Sequence, residues 1–485
     1  MSIQVNKRDG LLLLLCFVLG ILAEQTLFHG RIGISYIILV MSFYGVFFYR
    51  FRQVAFHNTR IGTLLMVCIW VISSHYFIYS ASVFYLFNFL VIPFLVLVHV
   101  IIVTQPKGFS WHQFHFLVIL GTKIKQLISY NFAFIKRVIL RLTKGLDRQL
   151  VSIIVRIGLG LIISVPLLLI VIGLLVSADA EFSRFISSIP NWLLQIDVTL
   201  LVRLFVILIF TLAVFGLFQV LLKKEDIQER KWFKERKVLD GITTLTVLVL
   251  LNGVYLLFAT IQFQYFFSDT LQAGFTYAEY ARRGFFELMA VTLVNWSILL
   301  VVINFVKQSH KGLKKALQIL LTLLVVLSGV MLISAFMRLL MYEEAYGFTL
   351  ARVLAHSFMI FLMVIFSYTL IKVWIEKLSL LRFYLIVAVV FYVALNAINV
   401  NGYIVDKNIE RYEETGKIDV EYMSRLSYAG VEGLMELYDR NPDVHRLEST
   451  LNNKKKEMLS QEYSWQSFNL ERQEVIKQLR ELSLD

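Results

Sequence analysis

Cysteine is almost missing from this chain. Cys16 and Cys68 are the only two in 485 residues, and each lies inside an apolar run. That excludes a disulfide framework and any cysteine-spaced metal centre. Proline is scarce too, at five residues, and only Pro93 and Pro166 interrupt long apolar stretches. Charged residues make up 17% of the chain. There is no Gly-rich phosphate loop with its lysine, no His-Glu-x-x-His and no Gly-x-Ser-x-Gly. The familiar nucleotide-binding, zinc-protease and serine-hydrolase signatures are therefore excluded. His112 and His115 have no further ligand set beside them, so no metal and no cofactor is expected. The apolar runs are continuous and do not alternate, which excludes a β-barrel.

What is abundant is apolar surface. Hydrophobic residues reach 58%, Phe alone accounts for 40 positions, and the mean hydropathy is +0.71. Runs of about 20 apolar residues recur, the length needed to cross ~30 Å of hydrocarbon. The reading is an all-α, polytopic helical membrane protein with about 11 transmembrane helices and the lipid bilayer as its first partner. The spans fall at 11–28, 31–49, 61–79, 81–104, 151–177, 200–222, 239–260, 284–306, 317–341, 350–371 and 383–400. Lys7 and Arg8 before the first run resemble a signal peptide, and "LLLLLC" resembles a lipoprotein box. An uncleaved first span keeps the later topology in phase and is the expectation.

The net charge of +13 is carried by loops. Alternate loops, counting from the N-terminus, hold 27 Lys and Arg residues, whereas the opposite loops hold four: Arg31, Arg184, Arg282 and Arg283. This is the positive-inside bias, and it accounts for the charge without nucleic acid. It predicts a cytoplasmic N-terminus, and eleven spans then put the C-terminal tail outside. The resulting organisation is helices 1–4 over 1–104, a basic amphipathic cytoplasmic loop over 105–150, helices 5–11 over 151–400, and an extracytoplasmic helical tail over 401–485. The loop sequence "KIKQLISYNFAFIKRVILRL" reads as a helix on the inner leaflet. The tail turns polar and carries helix punctuation. "KNIERYEETG" stops at Gly416, Asp419 caps "VEYMSRL", and Ser427 caps the next run, which ends at Asn441 and Pro442. Asp443 caps the helix after that, and "NLERQEVIKQLREL" is amphipathic. Four or five short helices are expected.

Membrane-embedded charges are few and fall at one depth. Glu24, Arg203, Glu287, Arg338 and Arg352 all lie near the outer ends of their spans, with Glu343 and Glu344 in the hairpin "RLLMYEEAYGFTLAR". Arg156 lies nearer the inner face. A charge in hydrocarbon costs ~3 kcal/mol on insertion scales, so each needs a partner or a route to water. Arg338 stands four residues before Tyr342, ~6 Å below the hairpin at the helical rise. Arg352 starts a helix, where the macrodipole is already positive. Pairing with Glu343 or Glu344 across the turn would relieve it. In "YAEYARRGFFEL", Glu279, Arg283 and Glu287 are spaced for i,i+4 pairs. The candidate outer-facing cluster is Glu24, Arg203, Arg283, Glu287, Arg338, Glu343, Glu344 and Arg352, serving either as locking salt bridges or as a ligand site. His356 sits one turn beyond Arg352 and is read as structural. Asn252, Asn295 and Asn304 are midspan amides, expected to bond between helices.

The stretches "YAEYARRGFFEL", "RLLMYEEAYGFTLAR", "NIERYEETGKIDVEYMSRLS" and "SWQSFNLERQ" resemble those of a bacterial multi-pass membrane family, the domain-of-unknown-function 4153/4173 group. The resemblance is strongest over 240–485. It implies a protein of the bacterial cytoplasmic (inner) membrane, and it brings no reaction, cofactor or catalytic residue.

Three kinds of function fit such a chain. A membrane scaffold or sensory or regulatory partner would use the external tail to bind another membrane or envelope protein. A transporter of a small molecule or lipid would use the bundle, although midspan polar residues are few. An enzyme is disfavoured, because the acidic pair of lipid-linked glycosyltransferases sits in a large first external loop and here that loop is about 29–30. No catalytic residue is assigned.

Overall fold

In a computed structural model, the described residues are 7–142, 171–188, 198–222, 239–267, 277–306 and 310–484, apart from positions 81, 107, 108, 110 and 114, together with isolated positions within 151–170. Among them the regular structure is helical, an isolated bridge between Leu239 and Val306 aside. Ten described helices are long and apolar enough to cross a membrane. The expected fifth span, 151–177, lies largely outside the described residues, and its 171–178 part is helical. The protein is an all-α, multi-pass membrane fold. Two compact units divide the chain.

The first unit comprises residues 1–66, 94–225 and 463–468. Its helices are α1 (Lys7–Phe28), α2 (Ile34–Phe51), the ends of α3 (Thr59–Ile78) and α4 (Ser82–Thr104), α5 (His115–Leu142), α6 (Ala180–Ser188) and α7 (Val198–Leu222). α1 lies on α7 with little space between backbones. A Cβ at Gly20 would stand 2.6 Å from Thr211 Oγ1 and 2.7 Å from the Ile207 carbonyl. The core is aromatic, with Phe47 packed on Phe51 and Phe218 and Tyr44 bonded to His99 Nδ1 at 3.0 Å. α5 realises the amphipathic reading of 105–150: it buries Phe116, Ile119, Tyr130 and Phe134 and stacks Phe134 on Phe215 of α7. At the start of α1, Asp9 accepts from Arg50 at 2.8 Å and from Gln219 at 2.9 Å, tying three helices together.

The second unit comprises 67–93, 226–462 and 469–485. Its membrane helices are the remainders of α3 and α4, with α8 (Gly241–Phe267), α9 (Tyr277–Phe305), α10 (Lys311–Tyr346), α11 (Leu350–Trp374) and α12 (Leu380–Ala397). α10 has 36 residues and is about 54 Å long at 1.5 Å per residue, well beyond ~30 Å of hydrocarbon. Two of the three midspan amides bridge helices: Asn295 to Ser328 Oγ at 2.9 Å and Asn252 to the Leu320 carbonyl at 3.0 Å. Asn304 turns instead to its own helix, donating to the Leu300 carbonyl at 2.8 Å. Span hydroxyls such as Thr292, Ser328 and Thr369 bond back to carbonyls four residues earlier, which satisfies them without water.

The tail contains α13 (Val400–Thr415), α14 (Val420–Ser424), α15 (Ser427–Arg440), α16 (Leu447–Leu459), a 3-10 turn (Trp465–Ser467) and α17 (Leu470–Glu481). Gly416 ends α13 in the left-handed region at φ 67°, and Asp419 caps α14 by accepting from Tyr422 N. Two caps differ from expectation. Ser427 is the first residue of α15, at φ 63°, and its hydroxyl bonds Ser80 Oγ rather than its own helix. Asp443 lies short of α16, whose N-cap is Arg446 in the left-handed region. Asn469 caps α17 through Arg472 N. The tail is no loose appendage. Ile404, Val405, Met423, Leu434 and Leu451 form one core with Phe84, and Phe348, Leu350, Val353, Tyr392 and Leu395 of the membrane helices pack against it.

Candidate functional site

The α10–α11 hairpin turns at Gly347, whose φ of 84° suits glycine. Its N–H donates to the Glu343 carbonyl at 2.7 Å, closing the helix. The tail then completes the turn. Asn408 Oδ1 accepts from Phe348 N, and Asn408 Nδ2 donates to the Phe348 carbonyl, both at 2.9 Å. Tyr422 Oη accepts from Leu350 N at 2.8 Å. Arg411 donates to the carbonyls of Glu344 at 2.9 Å and Ala345 at 2.7 Å. A guanidinium there meets the negative end of the α10 dipole.

The hairpin charges sort differently from the expected pairing. Arg352 donates to the Gly347 carbonyl and lies over the Tyr342 ring, 4.1 Å from its centroid, a cation–π contact. Glu344 is exposed. Glu343 is 1% exposed and faces His356, whose Nδ1 is 3.1 Å from Oε2. The two are out of line, and neither Glu343 oxygen receives an aligned hydrogen bond. The other ring nitrogen, Nε2, is 3.3 Å from the Phe336 carbonyl, and the Phe336 ring packs on the imidazole. Both nitrogens thus face acceptors, and only an imidazolium presents N–H groups to both. Arg338 is buried one turn earlier on α10.

Sequence reasoning missed His356 as a partner because a single histidine on an apolar helix looks structural. The available signal was the carboxylate of Glu343 across the turn.

Glu343, His356 and Phe336 line a cavity of about 770 Å³. α13 supplies its rim with Tyr403, Lys407, Glu410, Arg411 and Glu414, and α12 contributes Leu395 to the wall. Lys407 pairs with Glu410 at 2.5 Å.

The remaining predicted residues stand apart from this cavity. In the first unit, Glu24 is buried, with Arg203 Nε 3.6 Å and His29 Nδ1 3.9 Å away, and it accepts from Gln25 at 2.9 Å. Glu287 is exposed on α9. The side chains of Glu279 and Arg283 lie outside the described residues, as does Arg156, so the i,i+4 pairs expected there do too. Among the described residues no group of three or more His, Cys, Asp or Glu is placed to hold a metal ion.

A second polar cluster fastens the tail within the second unit. Glu471 accepts from Ser80 through both the hydroxyl, at 2.8 Å, and the backbone N–H, at 3.1 Å. Burial pushes the Glu471 carboxyl above the ordinary Glu range, against the lowering effect of the Ser80 bonds. Asn469 donates to the carbonyls of Tyr76 and Tyr79. Nothing in the sequence pattern links residues so far apart. In the first unit, the 464–468 segment lies on the α1–α2 turn, with Ile34 N donating to the Phe468 carbonyl at 3.0 Å and Gln466 to Gln25 at 2.8 Å.

Comparison with curated proteins and with solved structures gave no match. One family model matches residues 66–437, from within α3 to the end of α15. The match reaches further toward the N-terminus than the resemblance read from the sequence, and it stops before α16 and α17. It takes in the whole hairpin, the Glu343–His356 pair and the α13 rim of the cavity. Since it covers well over half of the chain, the protein belongs to the family described as domain of unknown function DUF4153.

Proposed function

We propose that this is a sensory or regulatory membrane partner in which the tail and the ends of the spans act as one body. One observation carries the reading: tail residues Ile404, Met423 and Leu434 share a core with Phe84 and with Phe348 and Leu350 of the hairpin. A change in the hairpin therefore reaches the tail surface through packed side chains rather than through a linker. The positive-inside bias supports a cytoplasmic N-terminus and an extracytoplasmic tail in a bacterial inner membrane. The partner is a membrane or envelope protein, met by the outer faces of α16 and α17.

A photo-crosslinker at exposed Asn453 or Lys456 of α16 tests this in intact cells. The expected result is one stoichiometric protein adduct, weakened by Asn408→Ala at the joint. A tail that yields no specific adduct from any exposed position refutes the reading.

Transport through the bundle is the second reading. The buried Glu343–His356 pair favours it, because ionisable groups within membrane bundles mark ion and substrate paths. Uptake by proteoliposomes that is abolished in Glu343→Gln would move the weight there.

A further inference from the structure

The 770 Å³ cavity behind the hairpin is of ligand size and has two kinds of wall. Phe336, Leu340, Val353, Ile360, Leu395 and Ile398 make the apolar side. Ile360 and Ile398 are more than half exposed, so this side opens laterally onto apolar surroundings. The opposite side is ionic. Of its positive groups, Lys407 is occupied by Glu410, and Arg411 is spent on the carbonyls of Glu344, Ala345 and Lys417. Glu344 and Glu414 stay at the rim with their charges uncompensated among the described residues. At the floor, Glu343 is 1% exposed, and neither of its oxygens receives an aligned hydrogen bond. A buried carboxylate with open acceptor positions facing a cavity is costly unless a donor fills it.

We propose that this cavity binds a primary ammonium group carried on an apolar body, the ammonium donating to Glu343 and the body lying against Phe336, Ile360 and Ile398. The charge balance of the walls favours a cation. The open acceptors favour one that carries N–H groups, so a quaternary ammonium of the same size leaves Glu343 unfilled and binds more weakly. An aminophospholipid headgroup and a free long-chain amine share this chemistry. The assignment stands on the cavity itself and holds whether or not the tail recruits a partner.

The test uses the full chain, purified in a neutral detergent and titrated with dodecylammonium, dodecyltrimethylammonium and dodecanol, with binding read by Trp and Tyr fluorescence. Native mass spectrometry after exchange into nanodiscs containing phosphatidylethanolamine or phosphatidylcholine runs in parallel. Dodecylammonium is expected to bind at least about tenfold more tightly than either analogue, a gap worth ~1.4 kcal/mol. Glu343→Gln should remove that preference. Ile360→Trp, which fills the mouth from an exposed position, should weaken all amphiphiles while leaving the fold intact, so the site stays testable if Glu343→Gln misfolds. Retained phosphatidylethanolamine identifies a lipid source, and binding of dodecylammonium without retained lipid identifies a free amine. Equal affinity for the three probes, or a preference unchanged in Glu343→Gln or Ile360→Trp, overturns the proposal.

Discussion

Asn408 holds Phe348 by both of its backbone polar atoms, accepting from the N–H and donating to the carbonyl at 2.9 Å each, across 60 residues of sequence. The same amide stands where a Cβ on Gly347 would be, 2.7 Å from Oδ1. The hairpin turn and the first tail helix therefore specify each other. Asn408→Ala leaves two buried backbone groups unpaired and should cost about 2–4 kcal/mol. Gly347→Ala combines strain at positive φ with that clash and should cost about 1–3 kcal/mol. The double variant should be less destabilised than the sum, since the clash is gone. Thermal unfolding in detergent measures all three, and strict additivity would separate the two residues.

Arg352 rests on the Tyr342 ring and the Gly347 carbonyl, not on a carboxylate. Tyr342→Leu should therefore lose about 1 kcal/mol, and Arg352→Glu should be destabilising with no rescue by Glu344→Arg. Melting temperatures of the single and double variants decide this. A double variant restored to the parent value would reinstate the charge pair.

Asp9 and Arg50 form a largely buried pair, with side chains 10% and 19% exposed. Arg50→Ala strands the Asp9 carboxylate and should cost about 3–5 kcal/mol. Combining Asp9→Asn with Arg50→Met should recover most of that loss, because no charge is left buried. Chemical denaturation followed by the fluorescence of the aromatic core reads the effect.

Glu471 gives the tail a pH dependence. Its carboxyl is raised by burial, so the folded protein keeps the proton at pH values where the unfolded chain has released it. Stability therefore falls as pH rises from the ordinary Glu value, about 4.3, to the raised folded value, and it is level above that. Glu471→Gln keeps an oxygen for Ser80 and removes the titration. It should flatten the curve and be at least as stable as the parent at neutral pH. Protease protection of α17 across this range is the measurement. A slope unchanged in the variant would assign the titration elsewhere.

Apolar run length alone announces the spans, because hydrocarbon thickness sets a minimum helix and nothing else in this chain needs twenty apolar residues in a row. The Lys and Arg count sets the expected sidedness for a similar one-dimensional reason. Local punctuation is equally legible: Gly416 and Asp419 act where they stand, since a left-handed stop and an N-cap involve only the next few residues. Ser427 and Asp443 misled because a distant group or the geometry of the chain outbid the local cap, Ser427 turning to Ser80. The tertiary structure alone decided that Glu343 meets His356, that Arg352 meets Tyr342, and that Asn408 closes the hairpin. Opposite charges near one turn have many possible partners of similar energy. Which pair forms depends on helix rotation and on what packs over the turn, and both are fixed by contacts between residues far apart in the chain.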